Sequence, residues 1–352
     1  MLSLMKLPRV VTINQVPKVF HEHSIISGYR YHHSSATDCI LSLFQLTNET
    51  INIWTHFLPT WYFLWKLVSV VLIQAAWQHP FTWPLVVLII SSCIYPLASS
   101  CAHTFNSMSA RVRHMCFYLD YGAISLYSLG TAISYSAYVF PDKWVNRFFH
   151  QCFVPVALLN AIGCTGLACY SRYGTKCFVN LIAISWEEFP KCQSPRFSKV
   201  LRLVAFAYPY LFDHIPLFYR LFLCEGEGCT DNDANVLHYT HIALAFLTGF
   251  LFATHLPERL APGSFDFIGN SHQLFHVFGI LGTRFQMMAV EQDMVLRRPW
   301  LLDHSRPITF ANSLGVTLLC LMVNLSILLL FSLPLLSAKV VHFHSAHIFF
   351  SV

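Results

Sequence analysis

Eight runs of mostly apolar residues dominate this chain, each long enough to cross a hydrocarbon core about 30 Å thick as a helix. They lie at 51–75, 81–103, 115–139, 149–170, 200–223, 236–255, 272–294 and 310–335. A backbone in lipid must satisfy its own N–H and C=O groups, so repeated runs of this length commit the chain to helices. Composition agrees. Hydrophobic residues make up 55% of the 352, charged residues 11%, and the mean hydropathy is +0.52. A soluble domain usually carries about 25% charged residues. The expected fold class is therefore an all-α integral membrane protein, with an N-terminal segment 1–50, an eight-span bundle 51–336 and a tail 337–352. The net charge of +5 is spread over a few loops. It forms no clustered basic stripe of the kind nucleic acid requires, so no nucleic-acid partner is expected.

Lys and Arg in the loops set the expected orientation. With a cytoplasmic N-terminus, inside segments hold thirteen of them, among them Lys6, Arg9, Lys18, Arg30, Arg111, Arg113 and Arg172, and outside segments hold five. Both termini are then cytoplasmic, and the acidic loop at 225–233 faces outward. Cys224 and Cys229 bracket that loop and can form a disulfide if it meets an oxidising compartment. The first twenty residues contain no long apolar stretch, so a removable signal peptide is not expected. The seventh run is the least regular, because it contains Arg284, Glu291 and Asp293.

Polar residues inside spans are costly, which makes each of them a question about function. His103 ends the second run, Asp120 opens the third, and His272 and His276 open the seventh. Alternating direction places all four near one membrane face, the cytoplasmic one. His272 and His276, four apart on a helix, project from one side. That pair alone means little, since among 19 histidines in 352 residues about one such pair arises by chance. A third histidine at matching depth adds to it. Three neutral imidazoles with an open fourth position suit a catalytic-type zinc site. Asp120 could then hold or deprotonate a water there, and Ser99, one turn before His103, could hydrogen-bond it. The alternative is that these side chains only bond across helices, as polar residues in bundles often do.

A second group, Glu49, Asn52, Thr55 and His56, precedes or opens the first run. A helix start accounts for Glu49, whose charge suits the positive end of the dipole. It accounts for neither Asn52 nor His56. Asp213 and His214 read as a buried polar pair or a ligand contact. His238 and His241 read as solvated near the outer face. His342, His344 and His347 read as part of an unstructured tail.

These residues in this order resemble the progestin and adipoQ receptor family over nearly the whole chain. Glu22 and Gly28-Tyr29-Arg30 match the segment before its first span. Glu49-x-x-Asn52-x-x-Thr55-His56 matches one signature, Ser99-x-x-x-His103 with Asp120-Tyr121 a second, and His272-x-x-x-His276 a third. The resemblance implies a seven-helix core bundle and a zinc ion held by His103, His272 and His276, with Ser99 and Asp120 close by. The short N-terminal segment and an eighth C-terminal transmembrane helix point to the membrane progestin receptor branch. That branch implies a steroid ligand, the plasma membrane and heterotrimeric G proteins as partners. The wider superfamily implies an alternative, zinc-dependent hydrolysis of a lipid amide of the ceramide type.

Overall fold

The computed structural model describes residues 7–73, 75–173 and 195–337. The tail histidines, Lys6, Lys176, Lys191 and Lys339 lie outside the described residues. The described chain is helical apart from one two-stranded antiparallel pairing, β1 (Val10–Val11) with β2 (Tyr29–Arg30). A short α1 (Ala36–Leu41) follows, started by Ser35, whose hydroxyl accepts from the Asp38 N–H. Then come α2 (Thr50–Val68), α3 (Trp83–Phe105), α4 (Ala110–Tyr138), α5 (Phe148–Tyr173) and α6 (Pro195–Asp213). A one-turn α7 (Ile215–Phe218), α8 (Ala234–Thr254), α9 (Ser271–Leu296), the short α10 (Arg298–His304) and α11 (Val316–Ser337) complete the order.

Each of the eight apolar runs is thus built on one long helix, the fifth continuing past His214 into α7. Five helical segments are long and apolar enough to cross a membrane: Thr50–Ile73, Pro80–Phe105, Phe148–Arg172, Ala234–Thr254 and Ala311–Leu336. The chain is an all-α membrane protein. The carboxylates of α9 each meet a cation. Asp293 of α9 meets Arg220, and Glu291 meets Lys66 of α2 at 2.8 Å.

Close packing between helices needs small residues where backbones approach. Gly130 of α4 is such a point, since a Cβ there would lie 2.5 Å from the Ser91 hydroxyl of α3. Proline inside a helix removes a backbone hydrogen bond, yet bundles tolerate it because neighbours satisfy the freed carbonyl. Pro59, Pro96, Pro155 and Pro209 all sit inside long helices.

The N-terminal segment folds onto one end of the bundle. Val11, Val16, Phe20, Ile25 and Tyr29 form a small apolar core of their own. Burial pushes the Tyr29 hydroxyl up to about 12, so it stays neutral. It donates to the Ile25 carbonyl and accepts from the Glu22 N–H, both at 3.0 Å. Asp266, between α8 and α9, accepts from the backbone of Ile26 and Ser27 and ties the segment down. At the other end, Cys224 and Cys229 are joined in a disulfide.

Candidate metal centre

His103 falls in the last turn of α3, and His272 and His276 in the first two turns of α9. The parity of the spans anticipated this, and the structure brings all three to the same end. Their ligand nitrogens lie within 4.8 Å of one another. The His103 and His272 Nε2 atoms are 3.3 Å apart, and the His272 and His276 rings are 4.6 Å apart between centres.

What aims these rings is the group whose role the sequence left open. Glu49, at the N-cap of α2, places Oε2 2.7 Å from His103 Nδ1. A carboxylate only accepts, so this contact fixes the proton on Nδ1 and leaves the Nε2 lone pair facing inward. His276 Nδ1 lies 3.1 Å from the Asn52 carbonyl, which fixes its tautomer in the same sense. The Thr55 hydroxyl lies 3.3 Å from the same nitrogen. His56 stacks on His276 with ring centres 3.7 Å apart. Ligating histidines are commonly held by such carboxylate and carbonyl partners, which fix ring orientation and raise basicity.

Glu49 is itself held. It accepts from Asn52 Nδ2 at 2.9 Å and from Asn106 Nδ2 at 2.6 Å. Arg30, 5% exposed, reaches from β2 to the end of α3 and donates to the His103, Thr104 and Asn106 oxygens. A cation there suits the negative end of the helix dipole. Arg30 counted in the sequence only as a loop charge. The contact that gives it a role spans more than seventy residues, which no local pattern reveals.

Asp120 is buried on α4 and does not join the three-histidine circle. Its Oδ1 has no hydrogen-bond partner. Ser99 is buried one turn before His103 on the same helix. The donor set fits a divalent cation of borderline softness: three imidazole nitrogens converge, two of them with tautomers fixed, and a carboxylate stands close by.

A second polar network near the disulfide end corrects one expectation. His238 and His241 are 0% and 2% exposed, not solvated. Arg220 grips Asp293 with two bonds of 2.7 and 3.0 Å, and His238 Nε2 lies 2.9 Å from the same carboxylate. His238 Nδ1 meets His241 Nε2 at 3.0 Å, and the Tyr135 hydroxyl joins His241 to His214. The helix ends read as wet because the sequence could not show that Arg220 and Asp293 pair across them. Asp213 and His214 do not bond to each other: Asp213 accepts from Ser128, and His214 from or to Tyr135.

The haemolysin-III-related family profile matches residues 44–287. The chain is 63% identical to membrane progestin receptor gamma-B of Danio rerio over 96% of each chain. It is 52% identical to membrane progestin receptor gamma of Mus musculus, over 95% of this chain and 96% of that one. It is 53% identical to membrane progestin receptor delta of Homo sapiens, over 96% and 94%.

Proposed function

Because this chain belongs to the haemolysin-III-related family, we propose that it is a progestin receptor of the plasma membrane with a zinc site inside its bundle. The likeness to named progestin receptors over about 96% of both chains carries the receptor reading. The convergence of His103, His272 and His276 carries the metal reading. The orientation that best fits the loop charges puts the N-terminus and this site at the cytoplasmic face and the disulfide loop outside. A site there, beside the N-terminal segment, is placed to pass a change in helix packing to a cytoplasmic heterotrimeric G protein.

His103, His272 and His276 would hold the ion, and Glu49, Asn52 and Thr55 would hold His103 and His276 in register. Bound zinc would supply Lewis acidity and lock the ends of α3 and α9 together. The His103 and His276 imidazoles present lone pairs, and Arg30 neutralises the carbonyl end of α3 behind His103. Asp120 has a free carboxylate oxygen and can accept a proton or orient a water beside His103.

That free oxygen favours a second reading, hydrolysis of a lipid amide, in which Asp120 serves as general base. The two readings part at one substitution. Steroid binding needs a shaped apolar site and few hydrogen bonds, so Asp120→Asn should leave progestin affinity unchanged. Asn cannot take a proton, so the same change should abolish ceramide cleavage. Radiolabelled-progestin binding and ceramide hydrolysis are measured side by side on both proteins. A wild type that binds no steroid but cleaves ceramide, with cleavage lost in Asp120→Asn, replaces the receptor with the hydrolase.

A further inference from the structure

A groove of about 250 Å³ opens between α3, α4 and α11, on a different face of α3 from Ser99 and His103. It is just under the ~300–1,000 Å³ usual for small-molecule sites. Its walls are almost wholly apolar. Ala98, Ala102, Gly122 and Ala123 keep the α3 and α4 side short, and Leu328 closes it from α11. One amide lines it, Asn324.

Asn324 is hard to explain as packing. It lies well inside α11, in the most apolar span of the five, and is 3% exposed. Polar side chains in such helices usually bond across to a neighbour. Asn324 does not: its Nδ2 meets only Cys320 Sγ of the same helix, at 3.6 Å, and its Oδ1 has no partner. An amide buried in apolar surroundings with one end unpartnered and the other on a weak sulfur acceptor is costly. The two ends of the amide exchange by a half-turn, so it can present either a carbonyl or an NH2 to the groove.

We propose that this groove binds the ring body of a ketosteroid, with the Asn324 amide donating to a ketone of the ligand. This rests on the progestin reading and names the site for it. A phospholipid acyl chain fits the walls but has nothing to offer Asn324. A membrane sterol keeps its single hydroxyl near the headgroups, above the depth of this residue. A rigid apolar body with a ketone at its end satisfies both the walls and the amide. Such a ligand would press on α3, the helix that carries His103, from its other side.

The test measures tritiated-progestin affinity of the full-length protein in detergent for wild type, Asn324→Leu and Ala98→Phe. Leucine suits a lipid-facing helix, so Asn324→Leu should keep wild-type thermal stability, which is measured in parallel. We expect Asn324→Leu to bind about tenfold more weakly, equivalent to about 1.4 kcal/mol. Ala98→Phe, which fills the groove, should lose binding. A progestin analogue lacking the bonded ketone should bind wild type about as weakly as the full ligand binds Asn324→Leu, with no further loss in that variant. If wild type binds and both variants match it, the groove is not the site, and the receptor reading stands without it. If wild type binds no progestin, the receptor reading fails and takes this inference with it.

Discussion

Glu49 acts on the histidine cluster through a single nitrogen. Its carboxylate lies 2.7 Å from His103 Nδ1, and it sits 54 residues away in sequence. Loss of such a partner typically weakens a metal site about 10–100-fold. Glu49→Gln keeps the size and a hydrogen-bonding oxygen but loses the charge, so zinc affinity should fall by roughly that factor in competition with a chelator. An unchanged affinity would leave Glu49 as a helix start and nothing more. The three histidines were legible in the sequence because span parity fixes which helix ends share a face. Glu49 was legible as a helix start and Asn52 and His56 as an unexplained pattern beside it, but their partners were not. Which nitrogen a carboxylate meets depends on how two helices cross, and spacing along one chain carries no such information.

The polar face of α9 explains at the level of the element what made the seventh run irregular. Asp293 pairs with Arg220 and His238, Glu291 with Lys66, and the Arg284 guanidinium lies 5.9 Å from the Tyr62 ring centre. Charges that argue against a span when read one by one become tolerable when each is paired. The same pairing hid His238 and His241, whose burial depends on Arg220 and Asp293 sealing that end. Arg220 and Asp293 are both fully buried at the side chain. Removing one partner of a buried pair leaves the other charge uncompensated and costs about 3–5 kcal/mol. Asp293→Leu should therefore lower the thermal midpoint in detergent sharply, while the double variant Arg220→Met/Asp293→Leu should recover part of the loss. A double variant no more stable than Asp293→Leu would show that the network does more than balance charge.

At the scale of the molecule, the bundle has two polar ends with different chemistry. One carries the histidine cluster under the N-terminal segment, and the other carries the Arg220–Asp293 network under the Cys224–Cys229 loop. The orientation we propose puts the disulfide outside, where such bonds persist. After mild reduction of intact cells, an impermeant maleimide should label Cys224 and Cys229, and an N-terminal tag should resist added protease. Label excluded from the loop together with a cleaved tag would invert the protein and put the histidine site outside. The central claim is that this site holds a metal, and the metal content of the purified full-length protein tests it most directly. We expect about one zinc per chain in wild type, and little or none in His103→Ala, His272→Ala and His276→Ala, since each removes one of three ligands. A folded wild type free of zinc, or three variants that all retain it in full, would contradict the account and leave the histidines as bonds between helices.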